Sequence, residues 1–355
     1  VNRSLFVAAA LLASAAPLAA QGPAGVKLSG FAEASYTSAT NAAGDIVVGR
    51  LYDRFHDQFA LNALALILDK AFDPAKRSAG FHAELLFGQN AAVIKSGGLD
   101  FGTSGDVPHL YVTLNLPTAS GNGLQLKAGR IPSLMGLEVI ETTVNPNWSV
   151  GNQFIYVENF TGTGLAVETK FSAKVDAQLR VMNGWDLIRD VNRGKSFMGR
   201  VGLYPDANTS IGLLGFWGAE QPGNASNARA GLEVLVWRKF GAASLWVQGD
   251  YGHEDGIDAN WVALGLWLAR DLSSTLGLAV RADYLNDQDG ARTSGALGFP
   301  TNTGQELISL TATLNVKAWP EAQVRPEFRY DHSSLAVFDG EFSQFSFALG
   351  AAFLF

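Results

Sequence analysis

What most constrains this chain is the spacing between its segments. From Val26 onward, stretches of roughly ten residues with one apolar and one polar face recur between turn residues. Tight joints fall at Pro117 to Asn122, Ser172-Ala173, Pro205 to Asn208, Phe240 to Ala242, Asp271 to Ser274 and Ala318 to Pro320. Between them come long connections at Ser38 to Asp53, Gln89 to Val107, Ile131 to Thr161, Gly184 to Lys195, Gln221 to Ala228 and Asp287 to Thr303. Short turns on one rim and long loops on the other describe an up-and-down antiparallel barrel, whereas a sandwich has no reason to alternate so regularly. The segments number about sixteen, within a range of roughly 12 to 18, and an even count places both termini on the short-turn, periplasmic rim. The expected fold is all-β, a transmembrane antiparallel up-and-down β-barrel.

The last segment shows the pattern at its clearest. Phe345, Phe347, Leu349, Ala351, Phe353 and Phe355 share one face, and Ser346, Ala348, Gly350 and Ala352 the other. A large apolar face opposite a small one suits a wall between hydrocarbon and a crowded or wet interior. A strand ending on Phe resembles the C-terminal signal of bacterial outer-membrane barrels. Tyr36, Phe87, Trp217, Tyr251, Tyr284 and Tyr330 sit near the loop-side ends of their segments on the apolar face, where an interfacial girdle places amphipathic rings. Three places break the rule: Phe31 interrupts the first segment, Ala263-Leu264 lies in one apolar on both faces, and Pro326, which lacks a ladder donor, reads as a bulge.

Composition agrees with a membrane barrel. The chain of 355 residues has 39 Gly, no Cys and only 17% charged residues. Beyond the N-terminus there is no apolar run of about twenty residues of the kind a membrane helix needs. At the N-terminus, Asn2-Arg3 precedes the apolar run Leu5 to Ala16 and small residues up to Ala20. That order reads as a secretory signal peptide, residues 1–20, ahead of a single barrel domain, residues 21–355. Without cysteine, an exported chain takes its stability from packing and a closed hydrogen-bonded sheet. The net charge of -7 and the lack of a basic patch argue against nucleic acid as a partner.

With the apolar face outward, the opposite face collects charge. Glu84, Glu168, Asp176, Arg180, Arg200, Glu233, Asp250, Arg281, Asp283, Arg325, Glu327, Arg329 and Asp331 are the pore-lining candidates, with His82 and Lys170 beside them. Such side chains set selectivity in a water-filled barrel, or pair across strands and hold the wall. The longest connection, Ile131 to Thr161, carries Glu138, Glu141, Asn145, Asn147 and Trp148. It resembles the constriction loop of general porins, in which acidic loop groups face basic wall residues; here those would be Arg180, Arg200, Arg281, Arg325 and Arg329. An external loop with no pore role is the competing reading.

Catalysis finds no support. His56, His82, His109, His253 and His332 are scattered without a partner pattern for a nucleophile or base. Asp287-Gln288-Asp289-Gly290 and Glu254 to Asp258 lack the full ligand spacing of a calcium loop, so no metal or cofactor is expected.

Asn183-Gly184-Trp185-Asp186, followed by Asn192, Gly194 and Lys195, resembles a strand-exit signature of the OmpL-like outer-membrane β-barrel porins. Gly129-Arg130, Met135 to Glu141, Asn145 to Ser149, Gly162 to Gly164, Arg281 to Tyr284 with Asp287 to Arg292, and Arg325 to Asp331 continue the similarity in order. Leu137, where the family often has Tyr, and a less aromatic first strand depart from it. The resemblance implies a Gram-negative outer-membrane channel for passive diffusion of small hydrophilic solutes, partnered by lipid and those solutes, with no cofactor and with a homo-oligomer left open. The signature itself is expected to cap a turn, its Trp packing at the interface or back over the loop, with direct solute contact as the other reading. A non-conducting barrel that binds at the cell surface, or serves a structural role, through its long loops is the alternative function.

Overall fold

A computed structural model describes residues 20–21, 25–95, 104–118 and 123–355. The signal-like segment ahead of Ala20 lies outside them. Sixteen long strands, all antiparallel, close into one barrel. They are β1 Val26–Ala39, β2 Gln58–Lys70, β3 Ser78–Phe87, β4 Gly105–Leu116, β5 Leu124–Pro132, β6 Thr161–Ser172, β7 Val175–Met182 and β8 Ser196–Asp206. Then come β9 Thr209–Ala219, β10 Ala228–Phe240, β11 Ala243–Glu254, β12 Ala259–Asp271, β13 Leu276–Asp287, β14 Gln305–Trp319, β15 Ala322–Ser333 and β16 Ser343–Leu354. A two-residue strand, Ala20–Gln21, pairs alongside Leu28 and Lys27.

Closure joins β16 to β1, from Ser346 opposite Ala39 to Leu354 opposite Phe31. The backbones of Gly30 and Phe355 exchange hydrogen bonds of 2.8 and 3.0 Å. A closed ladder leaves no edge, and that is what allows a sheet to cross hydrocarbon where unpaired backbone groups cost several kcal/mol each, roughly. Among the described residues no helix is long and apolar enough to cross a membrane, so the strands make the crossing.

Strand alternation sorts the side chains as the sequence predicts. On β12 the outward residues Val262, Leu264, Leu266 and Leu268 are exposed, while Trp261, Ala263, Trp267 and Ala269 are buried inside. That segment is apolar on both faces because its inner face meets packed loop rather than water. Phe31, the irregularity of β1, also turns inward and is buried, two residues before a register shift at Glu33/Ala34. Pro326 is not a bulge. Its ladder to β16 runs unbroken opposite Leu349, and pairing with β14 skips Leu314 and Asn315, then resumes in the same register. The missing donor thus removes rungs without inserting a residue. The register shift on β14 lies lower, between Lys317 and Trp319.

Among the described residues, several of the long connections are folded structure rather than solvated arches. Residues 133–160, here loop 3, contain a 3-10 turn, Thr142–Val144, and a wide turn, Gln153–Val157. A short helix, α1 Gln89–Ile94, follows β3. Two apolar clusters fill the loop-side interior. One joins Met135, Tyr156 and Val157 of loop 3, Trp185, Phe299 and Phe338 of other loops, and the wall residues Met182, Met198, Leu214 and Trp261. The other joins Leu51, Tyr52, Ile140, Val150 and Phe154 to Ala65 and Leu86.

Candidate functional site: the loop-filled lumen

Loop 3 lies inside the barrel and is held there mostly by its own backbone. Glu327 of β15 accepts from the backbone N–H of Trp148 at 2.8 Å and of Ser149 at 3.2 Å, and from the Thr313 hydroxyl at 2.6 Å. Two positions along, Arg325 donates to the carbonyls of Thr142 (2.8 Å) and Asn145 (2.7 Å), and through Nε to Asn315. Arg329 reaches the carbonyl of Val150 at 2.8 Å and pairs with Asp331 at 2.6 Å. Residues 325, 327, 329 and 331 share the inner face because side chains alternate along a strand. Arg325, Glu327 and Arg329 contact the loop's backbone with alternating sign, and Asp331 backs Arg329.

Arg281 on β13 is as heavily engaged as Arg329. It pairs with Glu138 of loop 3 at 2.8 Å and with Asp283 at 3.0 Å, and donates to the Ser149 carbonyl and the Thr311 hydroxyl. Asp283 accepts from the Asn152 backbone at 3.0 Å. Around the wall, Glu233 accepts from Gly136 N–H at 2.8 Å, Asp250 from Gln153 at 2.7 Å, and Glu33 from the Thr142 hydroxyl. Burial, and then the charge of Asp250, hold the loop carboxyl of Glu158 well above its ordinary range, against a hydrogen bond from Gln248. Under the loop, Leu137 joins Leu235, Trp246, Trp267, Ala269 and Ala279 in an apolar cluster.

Trp148 shows how strand and loop fit. A Cβ on Gly350 of β16 would sit 2.4 Å from the Trp148 indole. The small inner face of the last strand is therefore the slot for a loop tryptophan. Asn147 donates to Thr313 at 2.7 Å, and Asn145 closes a turn within the loop through Val139. Glu141 meets His109 of β4, which also lies 2.9 Å from Glu84.

The proposed pairing of loop acids with wall arginines occurs at Arg281 alone among the described residues. Arg325 and Arg329 take loop carbonyls, Arg180 takes the carbonyl of Pro132, and Arg200 faces Asp176 at 3.6 Å. The inner faces of β5 to β8 are less tightly covered. There Lys127 pairs with Glu168 at 2.8 Å, and the Lys127 and Arg200 side chains keep 18% and 12% exposure, against 0% for Arg281 and 1% for Arg329. Gln125, Glu168, Lys170, Asp176 and Gln178 line a small opening on this side.

The strand-exit signature acts on loop 3. Asp186 accepts from the backbone N–H of Phe160 and Thr161, both at 2.8 Å, so it caps the start of β6 rather than its own turn. Burial pushes its carboxyl up to about 6, against the pull of those two N–H groups. Asn183 donates to the Ile188 carbonyl, and Asn192 to those of Ala219 and Gln221. Lys195 pairs with Asp190. Gly184 sits at φ +136°, where a Cβ would press on Glu220 and Leu187. Trp185 packs edge-on to Phe216 at 5.0 Å, under the guanidinium groups of Arg229 and Arg292, so it lies back over the loop and not at the membrane interface.

Sequence reasoning missed Arg50, a buried cation of the first long loop, which pairs with Asp53 and Asp331 and donates to Ser346. The apolar run around it, Val47, Val48, Leu51 and Tyr52, was the available signal, since a solvated loop has no use for four such residues.

A closed sixteen-strand sheet with an apolar belt outside and a charged, loop-occupied lumen inside defines an outer-membrane β-barrel of the porin class. The chain belongs to the family described as Putative beta-barrel porin-2, OmpL-like, which matches residues 25–355. It is an outer-membrane channel protein for the diffusion of small solutes, and family and fold point to a channel rather than to an enzyme. Among solved structures it is similar in fold to the outer membrane channel DcaP of Acinetobacter baumannii, with a TM-score of 0.60 and 14% identity over 95% of this chain and 99% of that one. The anion-selective porin from Comamonas acidovorans gives 0.59 and 13% over 93% and 99%. OmpT of Vibrio cholerae in its trimer form gives 0.58 and 8% over 93% and 99%. No curated protein matches the chain.

Proposed function

We propose that solutes cross along the inner face of β5 to β8, past Lys127, Glu168, Asp176 and Arg200, rather than past the arginines of β13 and β15. The observation that carries this is the difference in cover: the first arc keeps partly wet ion pairs, and the second is spent on loop 3. Charges that face water set selectivity, whereas charges buried against backbone hold structure. Lys127 with Glu168 and Arg200 with Asp176 balance in sign, so the reading forecasts weak ion selectivity. The loop-side apolar cluster narrows the mouth, so passage depends on how that cluster packs. Small hydrophilic solutes suit a path without an apolar binding surface at its waist. The mature chain in this reading begins after Ala20, and assembly into a homo-oligomer fits the trimer form known for Vibrio cholerae OmpT.

The test is single-channel conductance of the refolded chain in a planar bilayer, with selectivity from the reversal potential. Lys127→Gln and Arg200→Gln are expected to shift the reversal potential toward cations. Equal or larger shifts from conservative changes at Arg325 or Arg329, with loop 3 still in place, would move the path to the other arc. A heat-modifiable barrel that passes no current would favour the surface-binding alternative, for which the filled mouth is the supporting observation.

A further inference from the structure

Three ligand-type side chains converge where β3, β4 and loop 3 meet. His82 and Glu84 lie two apart on β3 and so share its inner face, and the register sets Glu84 directly opposite His109 on β4. A nitrogen or oxygen from each of the three lies within 4.8 Å of the others. His109 Nδ1 is 2.9 Å from Glu84 Oε2 and 3.2 Å from Glu141 Oε1, and His82 Nε2 is 4.0 Å from Glu84 Oε2. Bonds of about 2.0–2.2 Å in a tetrahedral zinc site put neighbouring ligand atoms about 3.3–3.6 Å apart, within the spread seen here.

Two further observations point to a cation. His82 turns Nδ1 to Asp69 at 2.8 Å, across the β2–β3 ladder, which orients its ring with Nε2 toward Glu84. A carboxylate behind a ligating imidazole is the usual support of such a site. Glu84 is fully buried, and its Oε1 has no hydrogen-bond partner. Two carboxylates, one of them fully buried, meet beside one imidazole, a set that attracts either a proton or a cation between them. Zinc-class ions accept this mixture of imidazole and carboxylate ligands. The His82 and Glu141 side chains keep 19% and 20% exposure, which leaves a way in from the lumen.

We propose that His82, Glu84 and His109 form a site for a first-row divalent metal of the zinc class, with Glu141 as the ligand that ties loop 3 to the barrel wall. Three ligands come from rigid strands and one from the loop, so occupancy fastens the loop to β3 and β4 at Glu141, next to the Thr142 carbonyl that Arg325 holds from β15. The inference stands apart from the conduction path, since binding is read on the folded barrel whether or not it passes current.

The experiment is a Co2+ titration of the folded, untagged chain in detergent, followed by visible absorption, with Zn2+ competition. One saturable band displaced by Zn2+ is expected. It should vanish in His109→Ala, weaken at least tenfold in Glu141→Gln, and stay unchanged in His332→Ala. Heat-modifiable migration on gels establishes that each variant is a folded barrel. Asp69→Asn, which keeps all the ligands, should weaken binding less than Glu141→Gln and guards against a misfolded His109 variant. No saturable band in the native chain, or the same band in folded His109→Ala, would overturn the site. Full-strength binding in Glu141→Gln would remove the loop from it.

Discussion

The lumen has two arcs of charge that look alike in sequence and differ in what they touch. On β13 and β15, Arg281, Arg325, Glu327 and Arg329 spend their donors and acceptors on loop 3. On β5 to β8, Lys127 pairs with Glu168 and Arg200 with Asp176 across neighbouring strands; the two acids are buried, and the two cations stay partly wet. An inward charge in a barrel is thus not a pore charge by default. Whether it faces water depends on where the long loop comes down.

The largest effect should come from breaking the tethering arc. Arg281→Met strands Glu138 and Asp283 as unpaired buried carboxylates, at a cost on the order of 3–5 kcal/mol. The heat-modifiability midpoint in detergent should fall markedly, and bilayer recordings should show larger, noisier steps as loop 3 loosens. Gly350→Leu tests the same attachment from the opposite wall by filling the slot for Trp148. Overpacking of this kind costs about 1–3 kcal/mol, and Trp148 fluorescence should move toward that of an exposed indole.

A smaller, pH-dependent effect is expected where loop 3 rejoins the wall. Burial holds the Asp186 carboxyl up at about 6 in the folded chain, above the ordinary aspartate range near 3.8. A raised carboxyl favours the closed junction fully at pH below about 3.8, and that contribution is lost as pH rises through about 6. Proteolytic nicking near Phe160 should therefore increase across that window in the native chain and stay flat in Asp186→Asn. The smallest stability change belongs to the other arc: Arg200→Gln should cost less than Arg281→Met, because it loosens one 3.6 Å ion pair where Arg281 holds two carboxylates, while still shifting the reversal potential. If Arg200→Gln destabilised the barrel as much as Arg281→Met, the distinction between the arcs would collapse.

Much of this was legible beforehand, and the reason is local. Period-two alternation and the rhythm of short and long joints put the named turns and loops between strands to within a few residues, because pleat and turn chemistry act on neighbours in the chain. The small inner face of the last strand even hinted at a crowded interior. The double apolar face around Ala263 and Leu264 was a second hint, and it looked like an irregularity only because its partner, loop 3, is remote in sequence.

The sequence by itself determined the barrel: closed antiparallel pairing, apolar outside, mixed charge inside, with the long connections on one rim. Tertiary structure alone decided which charges hold loop 3 and which face water, that Asp186 caps a strand 25 residues away, and that Glu141 meets Glu84 and His109. Those outcomes depend on where a 28-residue connection settles across the lumen. A strand pattern carries no record of that, because the contacts are long-range and made largely by backbone groups that every residue shares.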